Sequence, residues 1–286
     1  MKHLVMFSGG LGSWMAGKIV AERYGVEDVE LIFADTKIED EDLYRFLEDG
    51  AKNIGAPLVT IAEGRTPWEV FHDTRFLGNS RVGNCSRILK REFIRKWIKE
   101  RYAPDECVMY LGIDGMEAQR QERAAEWWKP YRVESPLCKP PFMSYGQIKD
   151  RLAAEGGEIP RLYKLGFAHN NCGGFCVRSG QGQFAHLLKV MPERYAYHET
   201  KEQELREHLG ADVSILRRQA GGERIKMTLA EFRQRVEEDD SQLELFDWGG
   251  ALAWWVTSSR SQGIITGAAA GPGTQAAPHP GNCRQF

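Results

Sequence analysis

The chain has 286 residues, 42% of them hydrophobic, which is enough to build one large or two modest domains with real cores. Its formal net charge of −2 argues against a broad basic surface for nucleic acid but leaves room for a local basic patch. No apolar run reaches the roughly 18 residues that cross a bilayer, and no signal peptide is expected. Six cysteines without a secretory context favour reduced thiols, metal ligands or catalysis, so we expect a cytoplasmic protein with no membrane partner.

The first thirteen residues predict an anion-binding turn. The apolar run 4–7 predicts a buried strand, and a helix is expected over 13–24, with only Ser8-Gly9-Gly10-Leu11-Gly12-Ser13 between them. The first N–H groups of a helix lack intrahelical partners, the helix dipole adds positive charge there, and glycines let the backbone approach a phosphate closely. The hydroxyls of Ser8 and Ser13 add two donors. This turn is neither a Walker loop nor a GxGxxG turn, and an ordinary strand-to-helix turn is the alternative.

The alternation of strands and helices continues along the chain. Further strands are expected at 29–34, 57–61, 108–111 and 131–137, and a helix at 39–54. This pattern predicts an α/β fold with a doubly wound, mainly parallel five-stranded sheet of the Rossmann-like type, which binds ligands at the carboxyl ends of its strands. Asp35 and Thr36 follow the second strand at that edge. Asp35 is predicted either to bind the ribose or adenine of a nucleotide or to cap the next helix.

Several segments resemble one family. Ser8 to Ser13 is similar to the SGGxDS pyrophosphate loop of the PP-loop (adenine nucleotide alpha-hydrolase-like) superfamily, which contains ATP pyrophosphatases, tRNA and DNA thiolation enzymes and phosphoadenosine phosphosulfate (PAPS) reductases. Asp35-Thr36, the segment from Gly112 to Arg120 and the segment 160–176 resemble the PAPS reductase-like branch. The resemblance implies a bound adenine nucleotide, ATP or PAPS, with Mg²⁺. The family's Asp is Gly12 here, so that carboxylate's contribution is supplied elsewhere or is lost.

Basic side chains accompany these motifs. Cys85 lies just before a basic helix that carries Arg87 and Lys90, a setting that favours the thiolate. Gly112 ends the fourth strand, where it permits close approach of the backbone, and Arg120 follows on the next helix. The resemblance implies that Arg87, Lys90 and Arg120 face phosphate or sulfate. A solvated helix face for Arg87 and Lys90 is the alternative.

Cysteines also suggest a metal site. Three residues, two of them glycines, separate Cys172 from Cys176, a spacing that lets two thiolates turn toward one ion. Two cysteines cannot complete a tetrahedral site, and Cys85 and Cys138 are the best further ligands, with His169 another candidate. Such a set holds a [4Fe–4S] cluster or zinc, and the resemblance to thiolation proteins favours the cluster. The alternative is that these cysteines are small buried hydrophobes.

The functional expectation follows from the nucleotide and the thiols together. We expect an ATP pyrophosphatase that adenylates an acceptor for sulfur transfer to a nucleobase in tRNA or DNA, with Cys85, Lys90 and Arg120 as catalytic residues and a separate sulfur donor. PAPS reductase-like reduction of activated sulfate with thioredoxin, and a non-catalytic nucleotide-binding regulatory or defence module, are alternatives. Assembly of identical copies stays open. The expected organisation is a nucleotide-binding domain, a helical cysteine-containing region and a poorly ordered tail, over 1–137, 138–245 and 246–286.

Overall fold

The computed structural model describes residues 1–247, and its centre is a five-stranded sheet in the order β3-β2-β1-β4-β5. All four strand pairs are parallel. Val5 in the central strand stands opposite Leu31 on one side and Tyr110 on the other. Helices cover both faces of such a sheet, which is why its inner strands are apolar along their length. The strands are β1 (Lys2–Met6), β2 (Val29–Asp35), β3 (Leu58–Ala62), β4 (Cys107–Tyr110) and β5 (Arg132–Glu134).

Helices connect and flank these strands. A π-helical turn, Arg87–Glu92, joins α4 to α5 without a break, so the basic segment forms one continuous helical run. The helices are α1 (Leu11–Tyr24), α2 (Glu41–Ile54), α3 (Pro67–Asp73), α4 (Asn84–Ser86), α5 (Phe93–Lys99), α6 (Ala118–Trp128), α7 (Tyr145–Ala154), α8 (Arg161–Lys164), α9 (Gln181–Val190), α10 (Pro192–Leu209) and α11 (Leu229–Asp247).

The second region packs closely on the first. Ile148 and Leu152 of α7 are buried in the same apolar cluster as Trp14 of α1. In a separate cluster, Trp68 and Phe71 of α3 are buried with side chains from α9, α10 and α11. Burial of this apolar surface fixes the loops between these helices over the carboxyl edge of the sheet.

The predicted α/β class and the five-stranded parallel sheet are confirmed. A two-stranded antiparallel sheet was not predicted: β6 (Leu216–Ala220) and β7 (Glu223–Met227) form a hairpin within the region expected to be helical. Within residues 1–247, no helix is both long and apolar enough to cross a membrane. The predicted poorly ordered tail, 246–286, lies outside the described residues apart from the last two residues of α11.

Candidate nucleotide and thiol site

A cavity lies where the strand order of the sheet reverses. β1 and β4 are neighbours, but the chain leaves them toward opposite edges, which opens a crevice at their carboxyl ends. The cavity measures about 110 Å³ and lies between the turn after β1 and the segment after β4. We call it the switch-point cavity. Its lining includes Ser8, Gly10, Gly12, Ser13, Gly112, Asp114, Glu117, Arg120, Tyr145, Tyr163, His169, Asn170 and Asn171.

Two glycines let the walls of this cavity meet. A Cβ atom on Gly12 would lie 2.8 Å from the Gly112 carbonyl oxygen, and one on Gly112 would lie 2.5 Å from the Ser13 nitrogen. Neither distance is compatible with a side chain, so both positions require glycine. The resembling family has Asp at position 12, and here the close approach of the β4 segment leaves no room for it. The carboxylates in the cavity come instead from Asp114 and Glu117.

The helix N-terminus at the turn begins on a glycine. Gly10 is the N-cap of α1 and supplies no side-chain cap, the Leu11 N–H donates to the Tyr163 hydroxyl, and no acidic residue stands in the first turn. The Ser13 hydroxyl donates to the Gly10 carbonyl at 2.8 Å and lies 3.4 Å from the Ser8 hydroxyl. Gly9 points away from the cavity, since a Cβ there would meet Leu43. Ser8, Gly10, Gly12 and Ser13 line the cavity. The dipole of α1 directs partial positive charge into it.

Two side chains that the sequence analysis did not single out face the turn. The Asn170 amide nitrogen donates to the Gly9 carbonyl at 2.7 Å, while its buried Oδ1 atom has no hydrogen-bond partner among the described residues. The Tyr163 hydroxyl lies 3.3 Å from where a Cβ on Gly10 would stand, and burial raises the pKa of this phenol. An amide oxygen and a neutral phenol suit the hydroxyl and amino groups of a nucleoside.

Two of the basic residues singled out in the sequence, Arg120 and Arg87, have different surroundings. Arg120 lines the switch-point cavity with 16% of its side chain exposed, and its guanidinium lies 2.6 Å from Glu117. Arg87, by contrast, is 47% exposed, forms an ion pair with Glu92 at 2.7 Å and lines none of the cavities described here. Its placement matches the alternative of a solvated helix face.

Asp35 is held within its own segment. Its carboxylate accepts from the Lys37 N–H at 2.8 Å and the Tyr44 hydroxyl at 3.0 Å, and the Lys37 ammonium lies at 2.9 Å. Burial alone would raise the pKa of Asp35, but these donors outweigh it and lower that pKa. Asp35 does not line the switch-point cavity, and the cap of α2 is Asp40. The structure therefore rules out the cap alternative for Asp35, and its binding of a nucleotide stays a prediction.

Three of the four predicted metal-site cysteines line a second cavity. Cys85, Cys172 and Cys176 surround a space of about 30 Å³ together with Thr36 and Lys90. We call it the thiol pocket. Cys138 is not among its lining residues, since its thiol donates to the Ile113 and Asp114 carbonyls, the latter at 3.1 Å. Burial, with Asp114 and Glu117 nearby, raises the pKa of the Cys138 thiol.

A buried carboxylate connects the wall of the thiol pocket. Glu39, with 1% of its side chain exposed, accepts from the Thr36 hydroxyl at 2.8 Å, from the Lys90 ammonium at 3.2 Å and from the Cys172 N–H. Burial works against the charged form of Lys90, but Glu39, with Cys172 and Cys176 also nearby, outweighs it and raises the lysine pKa. Lys90 is thus a cation beside two thiols, a setting that favours thiolates. Glu39 was not predicted from the sequence.

The cysteine loop is held to the sheet by a second basic residue. Cys172 and Gly173 both adopt the left-handed backbone conformation, with φ of 50° and 57°. Arg194 of α10 covers Gly173 and donates to the Ile38 carbonyl. A left-handed Cys172 is strained, and the Glu39 and Arg194 contacts offset that strain.

A small third cavity joins the other two. Its lining includes Ser8, which it shares with the switch-point cavity, and Ser86 and Lys90, which it shares with the thiol pocket. The glycine-rich turn and the cysteines therefore lie side by side, and Lys90 lines the space between them.

The geometry bears differently on the expected cluster or zinc site and on the expected Mg²⁺. Among residues 1–247, no three His, Cys, Asp or Glu side chains are grouped so that they could hold one metal ion. A four-cysteine site does not assemble, because Cys138 is elsewhere, and His169 lines the switch-point cavity. Asp114 and Glu117 fit Mg²⁺ better, because that ion is commonly held by one or two carboxylates together with substrate phosphates.

These features define an α/β protein of the Rossmann-like class with a glycine-rich turn at the switch point and a thiol pocket beside it. No family model matches the chain. The uncharacterized protein MJ0066 of Methanocaldococcus jannaschii is 23% identical to it over 207 residues, which are 72% of this chain and 42% of that protein. The chain thus spans less than half the length of this relative, whose name states no activity.

Proposed function

We propose that the protein is an ATP pyrophosphatase of the PP-loop type that adenylates an acceptor and then transfers sulfur to it. The observation that carries this proposal is the connection of a glycine-rich turn at a helix N-terminus to a cysteine-lined pocket through Ser8 and Lys90. A turn of this kind suits nucleotide phosphates, and thiolates beside a lysine suit sulfur chemistry. Having both within one connected site favours a reaction that uses both.

In the first step, the turn amides hold the ATP phosphates while a carbonyl oxygen of the acceptor attacks the α-phosphorus. The bond from the α-phosphorus to the bridging oxygen breaks, and pyrophosphate leaves. Arg120 and Lys90 stabilise the charge that develops on the departing oxygens. Mg²⁺, held by Asp114 and Glu117 with the phosphates, would neutralise part of the same charge.

In the second step, a persulfide on a pocket cysteine, loaded by a sulfur-donor protein, attacks the adenylated carbon with its terminal sulfur. The carbon–oxygen bond breaks and AMP leaves. A second pocket thiolate then attacks the cysteine sulfur, so that the thiolated product departs and a protein disulfide remains. An external dithiol reduces that disulfide. Cys85, Cys172 and Cys176 supply the thiols, and Lys90 keeps them as thiolates.

Reduction of PAPS is the second candidate, and the same cluster of thiols favours it. A thiolate would attack the sulfonate sulfur and release adenosine bisphosphate. A second thiolate would then displace sulfite, and thioredoxin would reduce the resulting disulfide. The proposal of a non-catalytic module was based on Gly12, but the contact of Gly12 with Gly112 gives that glycine a packing reason.

The test measures pyrophosphate release from ATP with RNA or DNA acceptors, and sulfite release from PAPS with thioredoxin. The proposal predicts pyrophosphate release by the wild type, its loss in Lys90→Met, and its retention in Lys96→Met, which removes a lysine that is 76% exposed. Sulfite release without pyrophosphate release would move the assignment to the second candidate. Tight ATP binding with neither product would refute both reactions.

A further inference from the structure

A basic groove runs along the hairpin of the second region. It measures about 300 Å³ and lies between the β6–β7 hairpin and two loops, one before α4 and one before α9. Four arginines, Arg81, Arg217, Arg218 and Arg224, line it, and none of its lining residues is acidic. In a chain whose net charge is −2, this is a local concentration of positive charge. We call it the arginine groove.

The arginines of this groove are not neutralised within the described part of the chain. None of the four forms an ion pair with a carboxylate of residues 1–247, although most basic side chains of the sheet domain do. Arg217 and Arg224 are exposed; Arg224 stands close to the Gly221-Gly222 tip of the hairpin, and Arg217 pairs with Lys226 farther from it. Four guanidinium groups that repel one another along a groove are stabilised by an anionic partner.

A buried hydroxyl points to a ligand independently of charge. Ser179 is 3% exposed and lines the groove, and its Oγ atom has no hydrogen-bond partner among the described residues. A buried polar atom without a partner is unfavourable, and a phosphate oxygen in the groove would satisfy it. Next to it, Gln181 donates its side-chain amide to the Arg217 carbonyl, which connects α9 to the hairpin.

The arginine groove adjoins the thiol pocket. Cys176 and Arg178 line the pocket, and Ser179 to Gln181, the next residues in the chain, line the groove. The loop before α4 also lines both cavities, since Arg81 lines the groove and Gly83 lines the pocket. Arg178 packs over Gly83 at the boundary, with its Cδ atom 2.9 Å from where a Cβ on Gly83 would stand. A chain lying in the groove would therefore have one of its units beside the cysteines.

We propose that the arginine groove binds the phosphodiester backbone of an unpaired nucleic-acid segment and presents one of its bases to the thiol pocket. This inference rests on the proposed function, for which it supplies the acceptor class. A guanidinium group can bind two oxygens of one phosphate at the same time. Four such groups spaced along a groove suit a polymer with repeated phosphates better than a single phosphate. Chemistry on a base requires that base to leave its stack, which favours a single strand or a loop.

The experiment measures binding of fluorescently labelled RNA and DNA 20-mers of the same unpaired sequence by anisotropy, at salt concentrations from 50 to 200 mM. The test variant is the double substitution Arg217→Gln with Arg224→Gln, and the control is Lys52→Gln with Lys99→Gln, which removes the same charge from α2 and α5. Equal urea unfolding of both variants shows that the fold is intact. Binding of ATP is measured separately on each protein.

The proposal predicts that the arginine variant binds at least tenfold more weakly at 50 mM salt, and that its slope of log K against log salt falls by about 1.4, for two lost contacts with a single strand. The control stays within twofold of the wild type. Whichever of the RNA and DNA strands binds with the higher affinity then identifies the class of acceptor. Equal strand affinity of the wild type and the arginine variant would overturn the proposal. It would also be overturned if polyglutamate displaced the labelled strand as well as the unlabelled strand does, because that result would indicate an acidic protein partner. Loss of ATP binding alone, with arginine-dependent strand binding retained, would refute the proposed function but not the groove.

Discussion

Replacement of Lys90 by Met tests the buried pair at the centre of the site. Lys90 and Glu39 are separated by 3.2 Å, with 13% and 1% of their side chains exposed. Methionine keeps most of the side-chain volume but removes the ammonium, so Glu39 is left with the Thr36 hydroxyl and the Cys172 N–H as donors. Breaking a buried pair by removing one partner typically lowers the free energy of unfolding by 3–5 kcal/mol. Because Lys90 is partly exposed, we expect about 3 kcal/mol, the low end of that range.

A double-mutant cycle separates this effect from packing. Glu39→Gln combined with Lys90→Met removes both charges and leaves a neutral amide, so the double variant should be more stable than the sum of the single losses by about 1–2 kcal/mol. Urea unfolding at pH 7 measures all four proteins. Lys96→Met, at an exposed site, should change stability by less than about 0.5 kcal/mol. Strictly additive losses, or a Lys90→Met variant as stable as Lys96→Met, would show that the pair does not hold the thiol pocket together.

Three further changes have defined outcomes. Burial raises the pKa of Glu202 to about 7, so its contribution to stability is full below pH 4.5 and is lost as the pH rises through 7. The wild type should therefore lose about 3 kcal/mol of stability relative to Glu202→Gln from pH 4.5 to 8, and a constant difference between the two proteins in urea unfolding would contradict this. Gly12→Ala should lower the unfolding free energy by about 2 kcal/mol through its clash with Gly112, whereas Gly182→Ala, in open space on α9, should raise it. Cys172→Ser should abolish sulfur transfer, and Cys138→Ser should leave it within twofold of the wild type; equal losses would show that Cys138 belongs to the reacting set.

The sheet was predictable because its signals are local. The first four strands of the parallel sheet contain apolar runs, and the carboxyl ends of parallel strands meet at one edge, so Ser8 and Gly112 could be expected near each other. The steric reason for Gly12 was not accessible, since it depends on the distance between two backbone segments about one hundred residues apart.

The features that were missed depend on long-range contacts. Glu39 resembles a helix-start residue in the sequence, and only the approach of Lys90 and Cys172 gives it its role. The hairpin of β6 and β7 carries few apolar residues, so its alternation is weak, although Gly221-Gly222 between the two strands is a hairpin signal that could have been used. Cys138 follows β5 as predicted, but its side chain turns to the Asp114 carbonyl, a direction that spacing does not encode.

Binding of ATP to the glycine-rich turn is the most direct test of the account. Gly10 has an extended backbone, with φ of −101° and ψ of 159°, which valine can adopt without backbone strain. A Cβ there would stand 3.3 Å from the Tyr163 hydroxyl, so the valine side chain projects into the switch-point cavity and displaces Tyr163 slightly. Equilibrium binding of ATP with Mg²⁺ should be measured for the wild type, Gly10→Val and Gly182→Val, the last placing the same side chain in open space. We predict that Gly10→Val loses ATP binding by at least a hundredfold while remaining folded, and that Gly182→Val binds as the wild type does. Unchanged affinity in folded Gly10→Val, or no binding by the wild type, would contradict the account.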